Sequence, residues 1–126
     1  MMSTANRADR SPLEVVNRFN DAWNRANLDD LLALISENCV FENTSPSPDG
    51  ERFTGKVAVG RAWAPVLETA GMRFEAEELF EAGDRVVVRW VYHWTDGEGS
   101  PGHVRGVDLI RVRDGLVSEK LSYVKG

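Results

Sequence analysis

The chain has 126 residues, which is enough for one domain but not for two enzyme domains that meet over an active site. Its formal net charge of -5 argues against nucleic acid as a partner, because binding to phosphates needs a basic surface. Hydrophobic residues make up 42% of the chain, but no apolar run approaches the roughly 20 residues that cross a membrane, and no secretory signal is visible. We therefore expect a cytoplasmic protein that binds neither nucleic acid nor membranes.

Motifs that hold metals or cofactors are missing from the sequence. The single cysteine, Cys39, excludes an internal disulfide and a cysteine-rich metal site. The two histidines, His93 and His103, do not have the spacing of a metal-binding pair. There is also no phosphate-binding glycine loop and no Gly-x-Ser-x-Gly nucleophile motif. We therefore expect no metal and no other cofactor.

The N-terminal part of the chain predicts a tail followed by a helix. Residues 1–10 are polar and aperiodic, so we expect a disordered tail before a single domain of residues 11–126. Ser11 can cap a helix, and Pro12 fits the first helical position. Apolar residues then recur at helical spacing as far as Ala26, which predicts an amphipathic helix.

Three more elements are predicted before the sequence pattern changes. A shorter helix has Asp29 in its first turn, and residues 39–43 have the composition of a strand. Residues 44–54 are rich in turn formers and predict a loop. A third helix follows, which Gly71 would end. Pro65 lies inside its apolar pattern and would either kink this helix or delay its regular start, and the sequence leaves both alternatives open.

From Met72 onward the hydrophobic period changes to two, which predicts strands. The predicted strands are residues 73–81, 85–95, 103–113 and 116–124, with turns between them. Helices first and antiparallel strands afterwards are typical of an α+β fold rather than of an alternating parallel one.

A family resemblance is carried by residues 74–90 (FEAEELFEAGDRVVVRW) and 105–115 (RGVDLIRVRDG). They resemble the SnoaL-like branch of the nuclear transport factor 2-like superfamily, and the resemblance extends over about residues 11–124. It implies a cone of three N-terminal helices packed on a curved, mostly antiparallel sheet, with one closed, largely apolar pocket and a homodimer through the outer sheet face. It does not specify the function, since the superfamily includes polyketide cyclases, ketosteroid isomerases, epoxide hydrolases, dehydratases and non-catalytic binding proteins.

Asp108 is the strongest catalytic candidate. Alternation places it on the same strand face as aliphatic residues such as Val104 and Ile110, and the resemblance implies that this face lines the pocket. The resemblance also places Asp108 where ketosteroid isomerases have an acidic oxyanion donor. A carboxyl group among apolar residues can act as a general base or, if protonated, as a hydrogen-bond donor. The alternative is a structural ion pair, for example with Lys120, which could instead bind an anionic substrate.

His93 and Arg89 on the preceding strand are the other catalytic candidates. If their face points inward, His93 could exchange a proton with Asp108, and Arg89 could stabilise charge. The long turn at residues 96–102 leaves the strand register free, so this contact is permitted but not fixed. The opposite face is then interpreted as a dimer surface because three large rings alternate on it, namely Trp90, Tyr92 and Trp94.

The resemblance also implies candidates for the pocket wall. Asn43 stands where ketosteroid isomerases have a proton-shuttling aspartate and limonene epoxide hydrolases have a water-positioning asparagine; its amide could orient a substrate, or it could simply form a turn. Isomerase chemistry is disfavoured because Phe19 falls where those enzymes have a catalytic tyrosine, and epoxide hydrolysis because Val91 and Ser122 stand at the two aspartate positions. The expected substrate-binding residues are Asn43, Phe19, Trp23, Phe41, Trp63, Lys120 and Ser122.

Together these residues predict a cofactor-free enzyme that performs acid–base chemistry on a small apolar compound with a carbonyl group, by cyclisation, isomerisation or hydration. A non-catalytic ligand-binding or dimerisation module, or a degenerate relative with a filled pocket, is the alternative. The surroundings of Asp108 separate these hypotheses. An acid without a full salt bridge in an apolar cavity favours chemistry, whereas a closed ion pair with no room beside it favours a structural role.

Overall fold

The computed structural model describes residues 7–126, so most of the expected tail lies outside the described residues. Arg7–Asp9 form a short 3-10 helix, and order therefore begins before Ser11. The elements that follow are α1 (Pro12–Asn24), α2 (Leu28–Ala33), β1 (Ile35–Glu42), β2 (Arg52–Thr54), α3 (Lys56–Leu67), β3 (Arg73–Ala82), β4 (Arg85–Thr95), β5 (Pro101–Arg113) and β6 (Leu116–Val124).

Helix α1 begins and packs as the sequence predicts. The Ser11 side chain accepts a hydrogen bond of 3.1 Å from the backbone N–H of Glu14, and Pro12 takes the first helical position. The apolar stripe of this helix faces the sheet, and its buried residues are Val15, Val16, Phe19, Ala22 and Trp23. The helix packs against β3, β4 and β5.

The middle of the chain differs from the prediction in several places, and the first strand, β1, begins at Ile35 instead of at residue 39. Helix α3 begins at Lys56 and continues through Pro65, so the proline does not delay its start. The helix ends at Leu67, before Gly71, which was predicted to end it. Residues 52–54 form the short strand β2 within the predicted loop. Turn-forming residues dominate that segment, and only pairing with β1, for example Phe53 with Phe41, makes its last three residues a strand.

The six strands form one mixed sheet in the order β2-β1-β6-β5-β4-β3. Neighbouring strands are antiparallel except β1 and β6, which are parallel. The α+β, cone-like arrangement is therefore confirmed, but the third helix follows β1 and β2 instead of standing with the other two at the N-terminus. Helix α3 packs against β1 and β2, while α1 covers the other half of the sheet.

The concave face of the sheet and the helices enclose the core. The fully buried side chains include Phe19, Trp63, Ile35 and Ile110, which come from helices and strands alike. Among residues 7–126, Asp108 and Lys120 are the only charged residues that this core buries. Also within this range, no helix combines the length and the apolar character that a membrane span requires.

Candidate functional site

Aromatic rings from helices and strands meet at the centre of the concave face. Trp23 on α1 packs edge-on against Trp63 on α3, with ring centroids 5.4 Å apart, and against Phe74 on β3 at the same distance. Phe41 on β1 lies 5.5 Å from Trp63, and Trp90 on β4 lies 5.7 Å from Phe74. Edge-to-face packing holds rigid rings in fixed relative orientations, so this cluster forms stable walls.

These rings line two adjacent cavities that are both partly open, instead of the single closed pocket that the resemblance implied. The larger cavity, of about 190 Å³, has an aromatic and aliphatic lining that also includes the polar side chains of Asn43, Thr44, Lys120 and Ser122. The smaller cavity, of about 60 Å³, is lined by Asp108 and by Asn20 and Asn24 of α1, among others. Four residues line both cavities and stand at their boundary: Trp23, Phe74, Trp90 and Lys120.

A buried ion pair lies at this boundary. Lys120 Nζ is 3.2 Å from Asp108 Oδ2, and both side chains are only 8% exposed. The strand register produces this contact, because Asp108 pairs with Ser122 and Lys120 pairs with Ile110, so that all of these side chains point to the concave face. The same ammonium donates to Ser122 Oγ at 2.9 Å and lies 4.9 Å from the centre of the Phe41 ring.

Several buried polar atoms around the cavities have no hydrogen-bond partner within residues 7–126. They are Asp108 Oδ1 and the indole Nε1 atoms of Trp23, Trp63 and Trp90. Buried polar groups in proteins are nearly always hydrogen-bonded, so each exception needs an explanation. Here the exceptions combine one acceptor with three donors, and all four residues line at least one cavity. Because Asp108 lines the smaller cavity and Lys120 lines both, there is space beside the ion pair.

His93 and Arg89 do not belong to this site, and their predicted contact with Asp108 is wrong. In the β4–β5 register Val88 pairs with Asp108, so the odd-numbered residues of β4 point to the convex face. There Arg89 Nε lies 3.3 Å from Glu78 Oε1, and its side chain is 55% exposed. His93 Nε2 lies 3.1 Å from Glu75 Oε1. The sheet itself separates both side chains from Asp108.

Comparison with known families identifies the chain. A family model described as a SnoaL-like domain matches residues 16–120. The chain belongs to this SnoaL-like family. No curated protein matches it. Among solved structures, an NTF2-like protein of unknown function from Mesorhizobium loti is 41% identical, with a TM-score of 0.80 and 98% of each chain covered.

Two more distant structures share the fold. A Catenulispora acidiphila protein with a ketosteroid isomerase-like fold, solved in complex with trimethylamine, is 22% identical with a TM-score of 0.77, and the match covers 90% of this chain and 86% of that one. A Mycobacterium tuberculosis protein in complex with estradiol-17beta-hemisuccinate is 24% identical with the same TM-score of 0.77, covering 90% and 94%.

The aromatic stripe of β4 in this SnoaL-like chain is not on the outer surface. Trp90 is 6% exposed and belongs to the core, and Tyr92 lines the larger cavity. Trp94 stacks on Tyr92, with ring centroids 5.6 Å apart. The interpretation of these rings as a dimer surface is therefore wrong, since they line the inside of the cone. Arg89 and His93 occupy two of the alternate positions, which face outward and also hold Val87 and Val91.

Glycines on β5 make room for two of these rings. Gly106 pairs with Trp90, and Gly102 pairs with Trp94. A Cβ atom at Gly106 would collide with the Trp90 ring and with the backbone oxygen of Tyr123, and one at Gly102 would collide with the Trp94 ring. The absence of a side chain at these two positions lets the indole rings lie across the neighbouring strand.

The other predicted site residues of the SnoaL-like chain fall into two groups, those that line the larger cavity and one that does not. The side chains of Asn43, Trp23, Phe41, Trp63, Lys120 and Ser122 all line the larger cavity, as expected. Phe19 lines neither cavity, because it is fully buried behind Trp23 and Trp63, with ring centroids 6.3 and 5.4 Å away. The prediction that Phe19 binds substrate is therefore wrong: its ring instead packs against Trp23 and Trp63, which line the larger cavity.

Asn43 has a structural role as well as its place at the cavity. Its Oδ1 accepts hydrogen bonds from the backbone N–H groups of Glu51, at 2.7 Å, and Ser45, at 3.3 Å. This is the turn-forming role that the sequence allowed, and it fixes the loop beside the cavity mouth. Only the amide nitrogen of Asn43 is therefore available to a ligand.

Sequence reasoning missed some lining residues, including Phe74 and Tyr92, whereas Val104 lies on the face that was expected to line the pocket. The signal that could have found Tyr92 is the contrast between the two faces of β4. Its even-numbered positions from Val86 to Trp94 are all apolar or aromatic, whereas the odd-numbered ones include Arg89 and His93. Hydrophobic alternation alone assigns the even face to the interior.

The remaining candidates for site chemistry are Cys39 and the side-chain types that can ligate metals. Burial raises the pKa of the Cys39 thiol to about 11, which keeps it protonated and unreactive at neutral pH. Across the part of the chain that the structure describes, no three or more His, Cys, Asp or Glu side chains are grouped so that they could hold a metal ion.

Proposed function

We propose that this SnoaL-like protein binds a small, largely apolar compound that carries a carbonyl group, and that the larger cavity is its site. The observation that carries this proposal is the Lys120 ammonium group, which is 8% exposed and forms part of an otherwise mostly aromatic and aliphatic wall. An ammonium group has three N–H donors, and Asp108 and Ser122 accept two of them. The third donor suits a ligand oxygen.

The surroundings of Lys120 favour a neutral acceptor over a second charge. Asp108 already provides the counter-charge at 3.2 Å, so a carbonyl oxygen completes the hydrogen bonding without adding an unbalanced anion. The rings of Trp23, Trp63 and Phe74 offer flat apolar surface for the rest of the ligand. The two distant fold neighbours described above, solved with estradiol-17beta-hemisuccinate and with trimethylamine, support a small molecule as the ligand class.

A second candidate function is acid–base catalysis on such a ligand. The observation that favours it is Asp108 Oδ1, a buried carboxylate oxygen that has no partner in the described residues. This oxygen can remove a proton from the carbon next to the carbonyl: the C–H bond breaks and its electron pair forms a C=C bond, the C=O π pair moves to the oxygen, and the proton is held on Oδ1. The Lys120 ammonium would stabilise the resulting enolate. Cyclisation, isomerisation and hydration can all use such a step.

Binding is tested with a matched pair of probes, methyl naphthyl ketone and ethylnaphthalene, which has a CH₂ group in place of the carbonyl. A hydrogen bond to a charged donor predicts about tenfold tighter binding of the ketone in isothermal titration calorimetry. Val104→Trp fills the larger cavity and should abolish binding of both probes. Val107→Trp, on the opposite face of the same strand, is the control and should leave binding unchanged. If neither probe binds to the unaltered protein, the proposal is wrong.

Catalysis is tested with the same ketone in D₂O. If Asp108 acts as a base, the methyl protons exchange for deuterium faster with the protein than with buffer, as followed by proton NMR. Asp108→Asn should abolish the acceleration, and so should Val104→Trp, which leaves the ion pair intact. Binding of the ketone without accelerated exchange would instead support the non-catalytic alternative.

A further inference from the structure

The smaller cavity has a chemical character of its own. Asp108 lines this cavity but not the larger one, while Lys120 lines both. On its far side the smaller cavity is bounded by Asn20 of α1 and by Ala76 of β3, which is exposed. It therefore lies beside the ion pair, along the seam between α1 and β3.

The walls of the smaller cavity are held in place. Asn24 on α1 donates from its side-chain nitrogen to the backbone oxygen of Phe74 at 2.8 Å, and its side-chain oxygen accepts from the Phe74 N–H at 2.8 Å. This double hydrogen bond ties α1 to β3 beside the cavity. The Phe74 ring in turn packs on Trp23 and Trp90, 5.4 and 5.7 Å away. The cavity is thus a preformed feature of the seam.

Three buried polar atoms of the residues around this cavity lack a partner in the described chain. Asp108 Oδ1 is an acceptor, and Trp23 Nε1 and Trp90 Nε1 are donors. A carbonyl group could satisfy only the donors, and an ammonium group only the acceptor. A hydroxyl group can do both, since it donates one hydrogen bond and accepts others. A volume of about 60 Å³ suits such a small group and is too small for a ring.

We infer that the smaller cavity is a subsite for a hydroxyl group of the ligand whose carbonyl binds Lys120. This inference rests on the proposed function and narrows the ligand to hydroxyl-bearing carbonyl compounds. The hydroxyl donates to Asp108 Oδ1 and accepts from an indole N–H. Because Asp108 Oδ2 is already held by Lys120 at 3.2 Å, the remaining oxygen is fixed in position and gives a charge-assisted hydrogen bond.

Water offers the same hydrogen-bonding chemistry as a ligand hydroxyl, so the experiment must distinguish the two sources. The probes are the positional isomers of hydroxynaphthyl methyl ketone, each paired with its methoxy analogue, which has no O–H donor. The expected result is that at least one hydroxy isomer binds about tenfold more tightly than its methoxy partner in titration calorimetry. If water satisfies Asp108, each pair binds equally.

A variant at the edge of the smaller cavity tests whether the preference for a hydroxyl group arises there. Ala76 lines only the smaller cavity and is exposed, so Ala76→Leu should narrow that cavity without disturbing the core. We expect it to abolish the hydroxyl preference and to leave binding of unsubstituted methyl naphthyl ketone unchanged. Ala82→Leu, at the exposed end of the same strand, is the control and should retain the preference.

Indole N–H resonances provide a readout that does not depend on affinity. In nitrogen–proton correlation spectra, the preferred hydroxy isomer should shift the resonances of Trp23 and Trp90 more than its methoxy partner does, while Trp94 responds equally to both. Equal affinity within every pair, or a preference that survives Ala76→Leu, would overturn the inference and leave the larger site intact. If no ketone binds at all, the proposed function fails and the inference fails with it.

Discussion

The two faces of the curved sheet differ in how far their ion pairs are exposed to solvent. On the convex face of β3, β4 and β5, ion pairs are numerous and exposed: Arg89 and Glu78, for example, are 55% and 58% exposed. The Arg105 guanidinium, which binds Glu77 there, holds the pKa of that carboxyl below its usual range. On the concave face, one pair between Lys120 and Asp108 is 8% exposed on each side.

This difference decides how much each charge matters. Water and salt screen the convex pairs, and such pairs contribute little to stability. The concave pair is shielded from water, so removing one partner leaves the other as an uncompensated buried charge. A count of ion pairs would therefore identify the convex face as important, whereas burial identifies the concave one.

The largest effect is expected from Lys120→Met. The substitution leaves the Asp108 carboxylate buried without its counter-charge, and we expect a loss of about 3–5 kcal/mol in the free energy of unfolding. Urea denaturation at neutral pH, followed by tryptophan fluorescence, measures it. Lys125→Met is the matched control at an exposed lysine of the same chain end and should change stability by less than about 0.5 kcal/mol.

A double variant shows whether the loss comes from the unpaired charge. Asp108→Leu combined with Lys120→Met replaces the pair with apolar side chains and should recover most of the stability that the single variant loses. A double variant as unstable as the single one would mean that packing, rather than charge, explains the loss.

A smaller effect is expected from Gly106→Ala on the concave face. The added methyl group would meet the Trp90 ring and the Tyr123 backbone, so the ring must move, at a cost of about 1–3 kcal/mol. Because Trp90 lines both cavities, binding of methyl naphthyl ketone should weaken as well. Gly97→Ala is the control, since nothing lies within 4 Å of a Cβ at that position. Equal stability of the two variants would contradict the close packing of Trp90 on β5.

Cys39 gives a pH-dependent test of burial in the same core. Its thiol ionises at a pKa of about 11 in the folded protein, against 9.0 for an ordinary cysteine. Between these values the unfolded chain has already lost this proton, so stability falls as the pH rises from about 9 to 11 and is fully present below about 9. Comparing Cys39→Ala with the unaltered protein by urea denaturation at several pH values should show a shallower alkaline decline for the variant. Parallel declines would mean that the thiol is not shielded.

Much of this concave face could be predicted from the sequence. The bounds of β4 and β6 agree with the prediction to the residue, since a short Gly-containing turn precedes each strand. Alternation groups Asp108 with Val104 and Ile110, and the resemblance assigns their face to the pocket. The faces of His93 and Trp90 were predicted wrongly because the long turn at 96–102 left the strand register open. The prediction gave more weight to a proton transfer between His93 and Asp108 than to the apolar pattern of the face that holds Trp90.

The contact between Lys120 and Asp108 could not be established from the sequence alone. On β6, Val117 and Lys120 are both buried although they are three residues apart, which simple alternation forbids. A register shift between Arg111 and Val112 on β5 makes this possible, and a bulge of this kind leaves little trace in sequence. The resemblance to SnoaL-like proteins placed Lys120 inward, but its distance from Asp108 followed only from the register.

The smallest effects are expected on the convex face, where they complete the comparison. Arg89→Ala removes exposed contacts with Glu78 and Glu77, 3.3 and 3.8 Å away, and should cost less than about 1 kcal/mol in urea denaturation. What it does cost should shrink in high salt, because screening weakens exposed pairs. Neither Arg89→Ala nor His93→Gln should change ketone binding or deuterium exchange, since the sheet separates both residues from Asp108. A tenfold loss of ketone binding or of deuterium exchange in the His93 variant, with stability retained, would mean that the face assignment of β4 is wrong and that His93 lies on the same face as Asp108.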